Sequence, residues 1–466
     1  MFVAARPVLE RAQLLQLGQQ ILAMTSADTV SVYVTHTARV ITRIANNRVK
    51  SLDDGDTLRI EIHTQYGGRA EVWTSTNQIT EGTLRALVAQ CETLARAQIG
   101  GEELLHKRQE PDMYVPVALW HETTVAGMTA ARDTVVPALI ERVRQHGLTA
   151  AGFVGLMARS TAVFTKEGIT AVGDETDSEV TITAQTPNGT RSGWAGQAAR
   201  DWATIDYQHV ADEAARLALT GKEVQAIEPG RRTAILGPAA VVQLMRYFAQ
   251  EFDAYGTNMG QTGFSKASGG NKIGQRVFDP RITMRSDPAD PEGGYYSFFS
   301  QGFGNPAMTW VEQGVLKNLA YSPDYGPTQG KAYAENPVSL RIEGGTSSLP
   351  DMIAACAEGI YVNRLADVSL LDKGSGMLSG VTRDGCFLVR HGKIDRPVKN
   401  FRILDSPFFL LNKLEALGPT ARAPFGYTPP SDVEQYDPRF TWPRRPMIVP
   451  PMMVRDCNFS SLADAV

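Results

Sequence analysis

The 466-residue sequence predicts an α+β fold: a two-lobed protomer with an N-terminal α/β lobe of two helix-plus-antiparallel-sheet units and a β-rich C-terminal domain. In the first half, segments with helical spacing of apolar residues alternate with segments of period-two alternation. After residue 229, short strands dominate. The chain also exceeds the length that one hydrophobic core supports, which predicts domains at residues 1–108, 109–228 and 229–466.

The first unit begins with an amphipathic helix over residues 8–24. Two strand pairs follow, TVSVYVTH with ARVITRIA and TLRIEIHT with GRAEVWTST, in which Val, Ile and Thr alternate with polar residues. A helix over residues 81–98 completes the unit. The polar, proline-containing stretch at residues 107–116 predicts a connector between the two units.

The second unit has the same order, with helices predicted over residues 125–146 and 206–219 and strands at TAAGFVGLMARS and SEVTITAQT. In the C-terminal domain, TAILG predicts a buried strand and residues 238–252 a helix. Residues 256–274 are dense in Gly, Asn and Ser and predict a long loop, either a lid over a cleft or a solvated connection. The proline-heavy tail, with PFGYTPPSD and WPRRPMIVPPMMV, predicts an extended edge or cover segment.

The composition of the chain argues against several classes of function. The net charge is −4 and no stripe of Lys and Arg is present, so we expect no nucleic-acid partner. The four cysteines are scattered without a CxxC pair, which fits a reducing cytoplasm. No segment approaches the roughly 20 apolar residues of a membrane span. The sequence therefore predicts a cytoplasmic, compact protein.

Motifs for common enzyme chemistry are absent from the sequence. The seven histidines include no pair one helical turn apart, and His121-Glu122 lacks the second His that a metallopeptidase helix requires. We interpret His121 as part of a surface segment before a helix. Cys386, five residues before His391, is predicted to be a core thiol. No GxSxG elbow or phosphate-binding loop is present, so hydrolase, kinase and dehydrogenase hypotheses lose support.

The most specific pattern is GIYVNRLADVSLLDKGSGMLSGVTRDGCFLVRHGKIDRPVKNFRI at residues 359–403. It resembles the signature region of the TldD/PmbA family, historically labelled modulators of DNA gyrase. RIEGGTSSLPDMI at residues 341–353 and TAILGPAAVVQLMRYFAQEF at residues 233–252 resemble the family's preceding segments, and IANNRVKSLDDGDTLRIEIHTQYGGRAEVWTST resembles its N-terminal hairpins. The resemblance covers essentially the whole chain and is densest after Thr233.

This resemblance implies a dimer, often a heterodimer of a TldD-type and a PmbA (TldE)-type chain, that processes peptides in a sheltered cleft. The TldD-type chain holds zinc through HExxxH. Ungapped alignment from Ile235 places Arg246 and Tyr247 at the His-Glu positions and Glu251 near the second His. Because a guanidinium cannot ligate zinc and a lone carboxylate holds it weakly, we expect no metal in this chain, and we expect zinc in a TldD-type partner. The sequence thus resembles the PmbA (TldE)-like branch.

The resemblance further implies a subunit that shapes the cleft around an unfolded or extended peptide, with no catalytic residue assigned to this chain. Seven family-matching positions are expected to line the cleft, although turn or strand-ladder roles are equally compatible with each. They are Tyr255, Asn258, Arg341, Asn363, Thr382, Arg383 and Asp384.

Three alternatives stay open at the sequence level. The chain could be a homodimeric peptide-binding or peptide-modifying protein with metal-independent chemistry through its cleft residues. It could also be a pure binding module for peptides or another protein. The gyrase label suggests a third function, regulation of a DNA enzyme. This regulation would act through contact with the enzyme itself, because an acidic chain does not favour direct DNA binding. The sequence leaves open the substrate, the paralogue, and whether the chain has activity of its own.

Overall fold

The computed structural model describes residues 6–67, 71–98, 114–221, 223–298, 302–337, 339–426 and 445–463. The chain adopts the predicted α+β fold with two lobes. The boundary predicted at residue 108 and most of the predicted connector lie outside the described residues. The boundary predicted at residue 228 lies between the last helix of the N-terminal lobe and the first strand of the C-terminal domain.

Among the described residues, the N-terminal lobe contains one seven-stranded antiparallel sheet and four α-helices. The strands are β1 (Thr29–Ala45), β2 (Arg48–Leu52), β3 (Gly55–Gln65), β4 (Val72–Thr76), β5 (Thr149–Thr165), β6 (Thr170–Gln185) and β7 (Ser192–Ala199). The helices are α1 (Arg11–Met24), α2 (Glu81–Ala97), α3 (Glu122–Gln145) and α4 (Tyr207–Leu219). The order is β4-β3-β1-β5-β6-β7, with β2 paired to β1.

The two predicted units share this sheet, because β1 of the first unit pairs with β5 of the second from Ser31 to Ile44. The sequence indicated two strands where β1 is a single strand of 17 residues. No Gly or Pro interrupts residues 29–45, so nothing breaks the ladder there. All four helices pack on one face of the sheet and form its two apolar clusters. The opposite face lies partly against the C-terminal domain.

The C-terminal domain is β-rich, as predicted. Its strands are β8 (Gly230–Leu236), β9 (Met284–Ser286), β10 (Met308–Glu312), β11 (Val315–Leu316), β12 (Leu340–Ile342), β13 (Glu358–Asp372), β14 (Met377–Arg390), β15 (Lys393–Pro397), β16 (Phe401–Asp405), β17 (Leu414–Leu417), β18 (Ala421–Arg422), β19 (Met447–Val449) and β20 (Met452–Leu462). Its helices are α5 (Pro238–Phe248), α6 (Ala254–Asn258), α7 (Tyr325–Thr328), α8 (Leu349–Ala355) and α9 (Pro407–Leu410).

Five of these strands close on themselves in the order β13-β8-β20-β16-β14, because β14 also pairs with β13. A second sheet, β11-β10-β9-β12-β19-β18, packs beside this closed sheet around one large apolar core. The tail prediction was wrong for β20, which is an interior strand between β8 and β16. Pro450 and Pro451 precede the strand rather than interrupt it, so its amides can pair on both sides. Residues 427–444 lie outside the described residues.

The Gly-rich loop is more ordered than its composition suggests. Its first residues belong to α6, and Phe264 is fully buried in an aromatic cluster with Phe248 and Phe252. One aromatic side chain is therefore enough to anchor a segment that is otherwise polar. In the part of the chain that the structure describes, no helix combines the length and apolar character needed to cross a membrane.

Candidate functional site

The last turn of α5 carries Arg246 and Tyr247, the two residues that the sequence analysis expected at the His-Glu positions. The helix starts at Pro238 and packs along β13, which fixes its direction in the core. The Arg246 guanidinium carbon lies 4.8 Å from the centre of the Tyr247 ring, and Arg246 Nη2 donates to the Tyr247 hydroxyl oxygen at 3.2 Å. This cation–π pair places a permanent positive charge at the end of α5.

Glu251, which the sequence analysis expected near the second His position, lies in the 3-10 turn Ala249–Phe252 that continues α5. Its side chain is fully buried, and its Oε2 atom accepts a hydrogen bond from the backbone N–H of Gly263 at 3.2 Å. Burial raises the pKa of Glu251 to about 7, although the Gly263 N–H and the charge of Lys373 oppose this shift.

These three side chains do not fit a zinc ion. A guanidinium cannot donate a lone pair, and a single buried carboxyl cannot complete a tetrahedral set of ligands. Among the residues that the structure describes, no three His, Cys, Asp or Glu side chains are grouped so that they could hold a metal. No step that requires a metal can therefore be assigned to residues 246–251.

A cleft of about 790 Å³ opens between the two lobes. The hairpin between β6 and β7 and the end of α4 form one wall, and β14 and the segment after β15 form the other. The lining is mixed, with charged and amide side chains beside apolar ones such as Leu217 and Phe387. Polar lining residues include Asn188, Thr190, Arg191, Ser192, Glu223, Asp384, Lys399 and Asn400.

Asp384 and Asn363 attach the C-terminal wall of the cleft to the N-terminal lobe. The Asp384 carboxylate accepts hydrogen bonds from Ser192 Oγ at 2.7 Å and from the Arg364 guanidinium, whose Nε lies at 3.1 Å. Asn363 Nδ2 donates to the backbone oxygens of Trp194 at 2.7 Å and of Asp384 at 3.2 Å. The Arg364 guanidinium also lies 5.1 Å from the centre of the Trp194 ring. These contacts join β7 to β13 and β14.

The predicted residues of β14 differ in position. Asp384 lines the cleft, and the half-exposed Arg383 lies beside it, with Arg383 Nε 3.9 Å from Asp384 Oδ2. Thr382 is fully buried, and its hydroxyl bonds to Asn400 Oδ1 and to the backbone N–H of Phe401. Thr382 therefore holds two segments of the domain together beneath the cleft wall.

Tyr255 and Asn258 lie in a second place, on α6. Tyr255 is 53% exposed, and its ring centre is 5.3 Å from that of Tyr325. Asn258 Nδ2 donates to the Tyr325 hydroxyl oxygen at 2.7 Å, and its Oδ1 accepts from Asn271 Nδ2 at 2.9 Å. These two residues thus join α6 to α7 and to the end of the Gly-rich loop.

Arg341 occupies a third place, on β12. It makes a two-point ion pair with Asp290, at 2.5 and 2.8 Å, and a further contact with Glu292 at 2.8 Å. Burial would raise the pKa of Asp290, but hydrogen bonds from Arg341 and from two backbone amides lower it to about 2. The seven predicted residues therefore lie in three separate groups, and a shared substrate surface for them stays a prediction.

Sequence reasoning missed Ser192, Trp194 and Arg364. Ser192 lies 192 positions from its partner Asp384, so no local pattern could connect them. Arg364 directly follows the predicted residue Asn363, and the structure places it opposite Arg383 in the antiparallel pair of β13 and β14.

Comparison with known proteins agrees with this architecture. Residues 229–461 match the family described as PmbA/TldA metallopeptidase C-terminal domain. A protein named metalloprotease from Methanothermobacter thermautotrophicus is 23% identical over 168 residues, which are 34% of this chain and 37% of that protein. The alignment thus spans little more than a third of that relative's length.

Three solved structures share the fold over nearly the whole chain. TldE from Thermococcus kodakarensis has a TM-score of 0.79 at 15% identity, covering 96% of this chain and 99% of that one. A candidate modulator of a DNA gyrase from Thermotoga maritima has a TM-score of 0.78 at 14% identity, with the same coverage of both chains. A candidate modulator of DNA gyrase from Bacteroides thetaiotaomicron has a TM-score of 0.75 at 15% identity, covering 97% of this chain and 100% of that one. At such identities the likeness concerns the fold. The match over residues 229–461, half of the chain, shows that this protein belongs to the metallopeptidase-related TldD/PmbA family.

Proposed function

We propose that this chain is a TldE/PmbA-like subunit of a cytoplasmic TldD/TldE-type peptidase complex. It would shape the peptide-binding cleft for proteolysis or maturation of peptides, while a TldD-type homologue supplies the zinc. The observation that supports this most is the chemistry of Arg246, Tyr247 and the buried Glu251, which are not a set of zinc ligands and which we expect at the positions of the family's zinc motif. The four free, buried cysteines agree with a reducing compartment.

The interlobe contacts support a role in holding a cleft of fixed width. The hydrogen bonds that Ser192 donates to Asp384 and that Asn363 donates to the Trp194 backbone oxygen attach the two walls at the edge strand β7. A chain that fixes such walls can limit access by size and exclude water from a bound peptide. Main-chain hydrogen bonds at strand edges recognise extended peptides with little dependence on their sequence. Unfolded or extended peptides are therefore the proposed substrates.

The test mixes the purified chain with an HExxxH-bearing homologue from the same organism. Association is measured by size-exclusion chromatography with light scattering, and cleavage of an unfolded fluorescent peptide is followed with and without a zinc chelator. We expect a one-to-one complex whose chelator-sensitive turnover exceeds that of either chain alone. The proposal fails if the two chains neither associate nor change each other's turnover.

The same assay decides the alternative of a homodimeric peptide-binding or peptide-modifying protein. That function would give activity of the lone chain that chelators do not inhibit and that Arg383→Ala or Asp384→Ala abolishes. Arg85→Ala, an exposed change on α2 far in sequence from the cleft residues, serves as the matched control. Tight peptide binding without turnover in every combination would instead indicate a binding module.

A further inference from the structure

The side chains that line the interlobe cleft offer mostly hydrogen-bond donors to a ligand. The buried carboxylate among them, Asp384, already accepts from Ser192 Oγ at 2.7 Å and from Arg364 Nε at 3.1 Å. Because the Arg364 guanidinium compensates its charge, Asp384 does not attract a cation into the cleft. The polar groups of Asp384 and Ser192 are therefore engaged with each other rather than with a ligand.

Two asparagine amides of the cleft are oriented as donors. Asn188 Oδ1 accepts from Thr186 Oγ1 at 2.8 Å and from Thr190 Oγ1 at 2.9 Å, and Asn400 Oδ1 accepts from the Thr382 hydroxyl at 3.2 Å. Within the described parts of the chain, the Nδ2 groups of both asparagines have no hydrogen-bond partner. Since their oxygens are occupied, these amides favour a ligand that accepts hydrogen bonds.

Two cations, Arg191 and Lys399, line the cleft from different lobes. Arg191 precedes β7, and its Nη1 donates to the backbone oxygens of Leu219, at 3.4 Å, and of Gly221. Lys399 is exposed, between β15 and β16. Neither cation forms an ion pair with any residue that the structure describes. Both charges are therefore available to an anionic ligand.

The linker between α4 and β8 runs past both cations. Arg191 bonds to it at Gly221, where a Cβ atom would lie 2.3 Å from Pro397 Cδ. Further along, the backbone oxygen of Gln225 accepts from the backbone N–H of Lys399 at 3.0 Å. Because only one residue separates Pro397 from Lys399, the two cations lie at the same end of the cleft, on opposite walls.

We propose that the cleft binds a peptide through a carboxylate group, of its C-terminus or of an acidic side chain, held between Arg191 and Lys399 and by the two asparagine amides. A carboxylate supplies the acceptors that these donors require. The exposed Glu223 on the linker repels a doubly charged phosphate but can accept from a peptide N–H. This inference rests on the proposed function, since it takes the cleft as the peptide-binding site and names the group that the cleft selects.

The test is binding of three peptides to the purified full chain, measured by fluorescence anisotropy. They share one uncharged Gly- and Ser-rich sequence and an uncharged N-terminal dye. The first has a free C-terminal carboxylate, the second a C-terminal amide, and the third a C-terminal amide and one internal Glu. We expect the second peptide to bind about tenfold more weakly than the first or the third, and the tighter of those two identifies the source of the carboxylate.

The two ways of failing are distinguishable. If all three peptides bind equally, the selection of a carboxylate is overturned and the cleft remains a peptide-binding site. If none of them binds, the proposed peptide-binding cleft fails together with this inference.

Two variants assign the effect to the cleft. Lys399→Met removes a cation from an exposed position, and Asn400→Asp keeps an acceptor for Thr382 but replaces the N–H donors with a negative charge. Each should reduce the advantage of the carboxylate peptide to about threefold or less. Lys393→Met, on the exposed edge strand β15 and outside the cleft lining, is the matched control and should keep the wild-type ratio. A full advantage in both cleft variants overturns the proposal.

Discussion

Asp177 of β6 and Arg422 of β18 form an ion pair across the boundary between the lobes, in which Arg422 Nη2 lies 2.6 and 2.7 Å from the two carboxylate oxygens. Both side chains are buried. Burial raises the pKa of Asp177, and the charge of Arg422 opposes that shift. Because a buried charge without its partner is costly, this pair is where we expect the strongest energetic coupling between the lobes.

Arg422→Ala should lower the free energy of unfolding at pH 7 by about 3–5 kcal/mol, since it leaves Asp177 buried without its cation. Urea denaturation measures this change. The exposed i,i+4 pair between Glu81 and Arg85 on α2 is the control, and Arg85→Ala should cost less than about 0.5 kcal/mol. Equal losses of unfolding free energy in the two variants would show that the interlobe pair stabilises the protein no more than an exposed ion pair does.

Asp384 has a backbone φ of 49°, in the left-handed region. Asn tolerates that conformation and keeps an acceptor for Ser192, whereas Ala does neither. Asp384→Asn should therefore cost about 1–2 kcal/mol through the lost ion pair with Arg364, and Asp384→Ala about 1–2 kcal/mol more. Thermal and urea unfolding of both variants test this order. An Ala variant as stable as the Asn variant would contradict it.

Glu251 should make the protein less stable as pH rises through the neutral range. Its folded pKa of about 7 exceeds the ordinary value of 4.5, so the folded state binds more protons between these values and stability falls there with increasing pH. The full effect is on the order of 3 kcal/mol, from about 1.4 kcal/mol per pKa unit. Glu251→Gln should remove this decrease, in unfolding curves measured from pH 4.5 to 8. A wild-type decrease that persists in the variant rules out Glu251 as its source.

Asp290 should produce the opposite dependence at acid pH. Its folded pKa of about 2 lies below the ordinary 3.8, so its contribution of about 2 kcal/mol is present above pH 4 and is lost as pH falls toward 2. Arg341→Met removes the principal hydrogen-bond donor and should flatten this acid limb. Unfolding free energies measured between pH 2 and 5 check this result. If the variant loses stability at acid pH as the wild type does, other carboxylates cause the loss.

The elements of this fold were predictable where the signal was local. The helices α2 and α4 and the strands β3, β5 and β6 follow from periodicity within one segment, and Arg246 and Tyr247 lie on one continuous helix, as predicted. The interior position of β20 was not predictable, because it depends on pairing with β8, more than 200 positions earlier in the chain.

The site was less accessible to sequence reasoning than the fold. The contacts of Asp384 with Ser192 and of Asp177 with Arg422 join residues 192 and 245 positions apart, so only the folded chain reveals them. The burial of Glu251 likewise results from the return of the Gly-rich loop onto the core at Gly263. Composition predicted a loop there, and the single buried Phe264 decided where that loop lies.

The zinc content of the purified chain tests most directly the claim that this chain holds no zinc site. It is measured by elemental mass spectrometry after the chain has been incubated with equimolar zinc and desalted. The Arg246–Tyr247 pair and the single buried carboxyl of Glu251 predict less than about 0.1 zinc per chain, because these side chains cannot provide a tetrahedral set of ligands. The claim would be contradicted by one zinc per chain that is lost in Glu251→Gln and that the lone chain needs for peptide turnover.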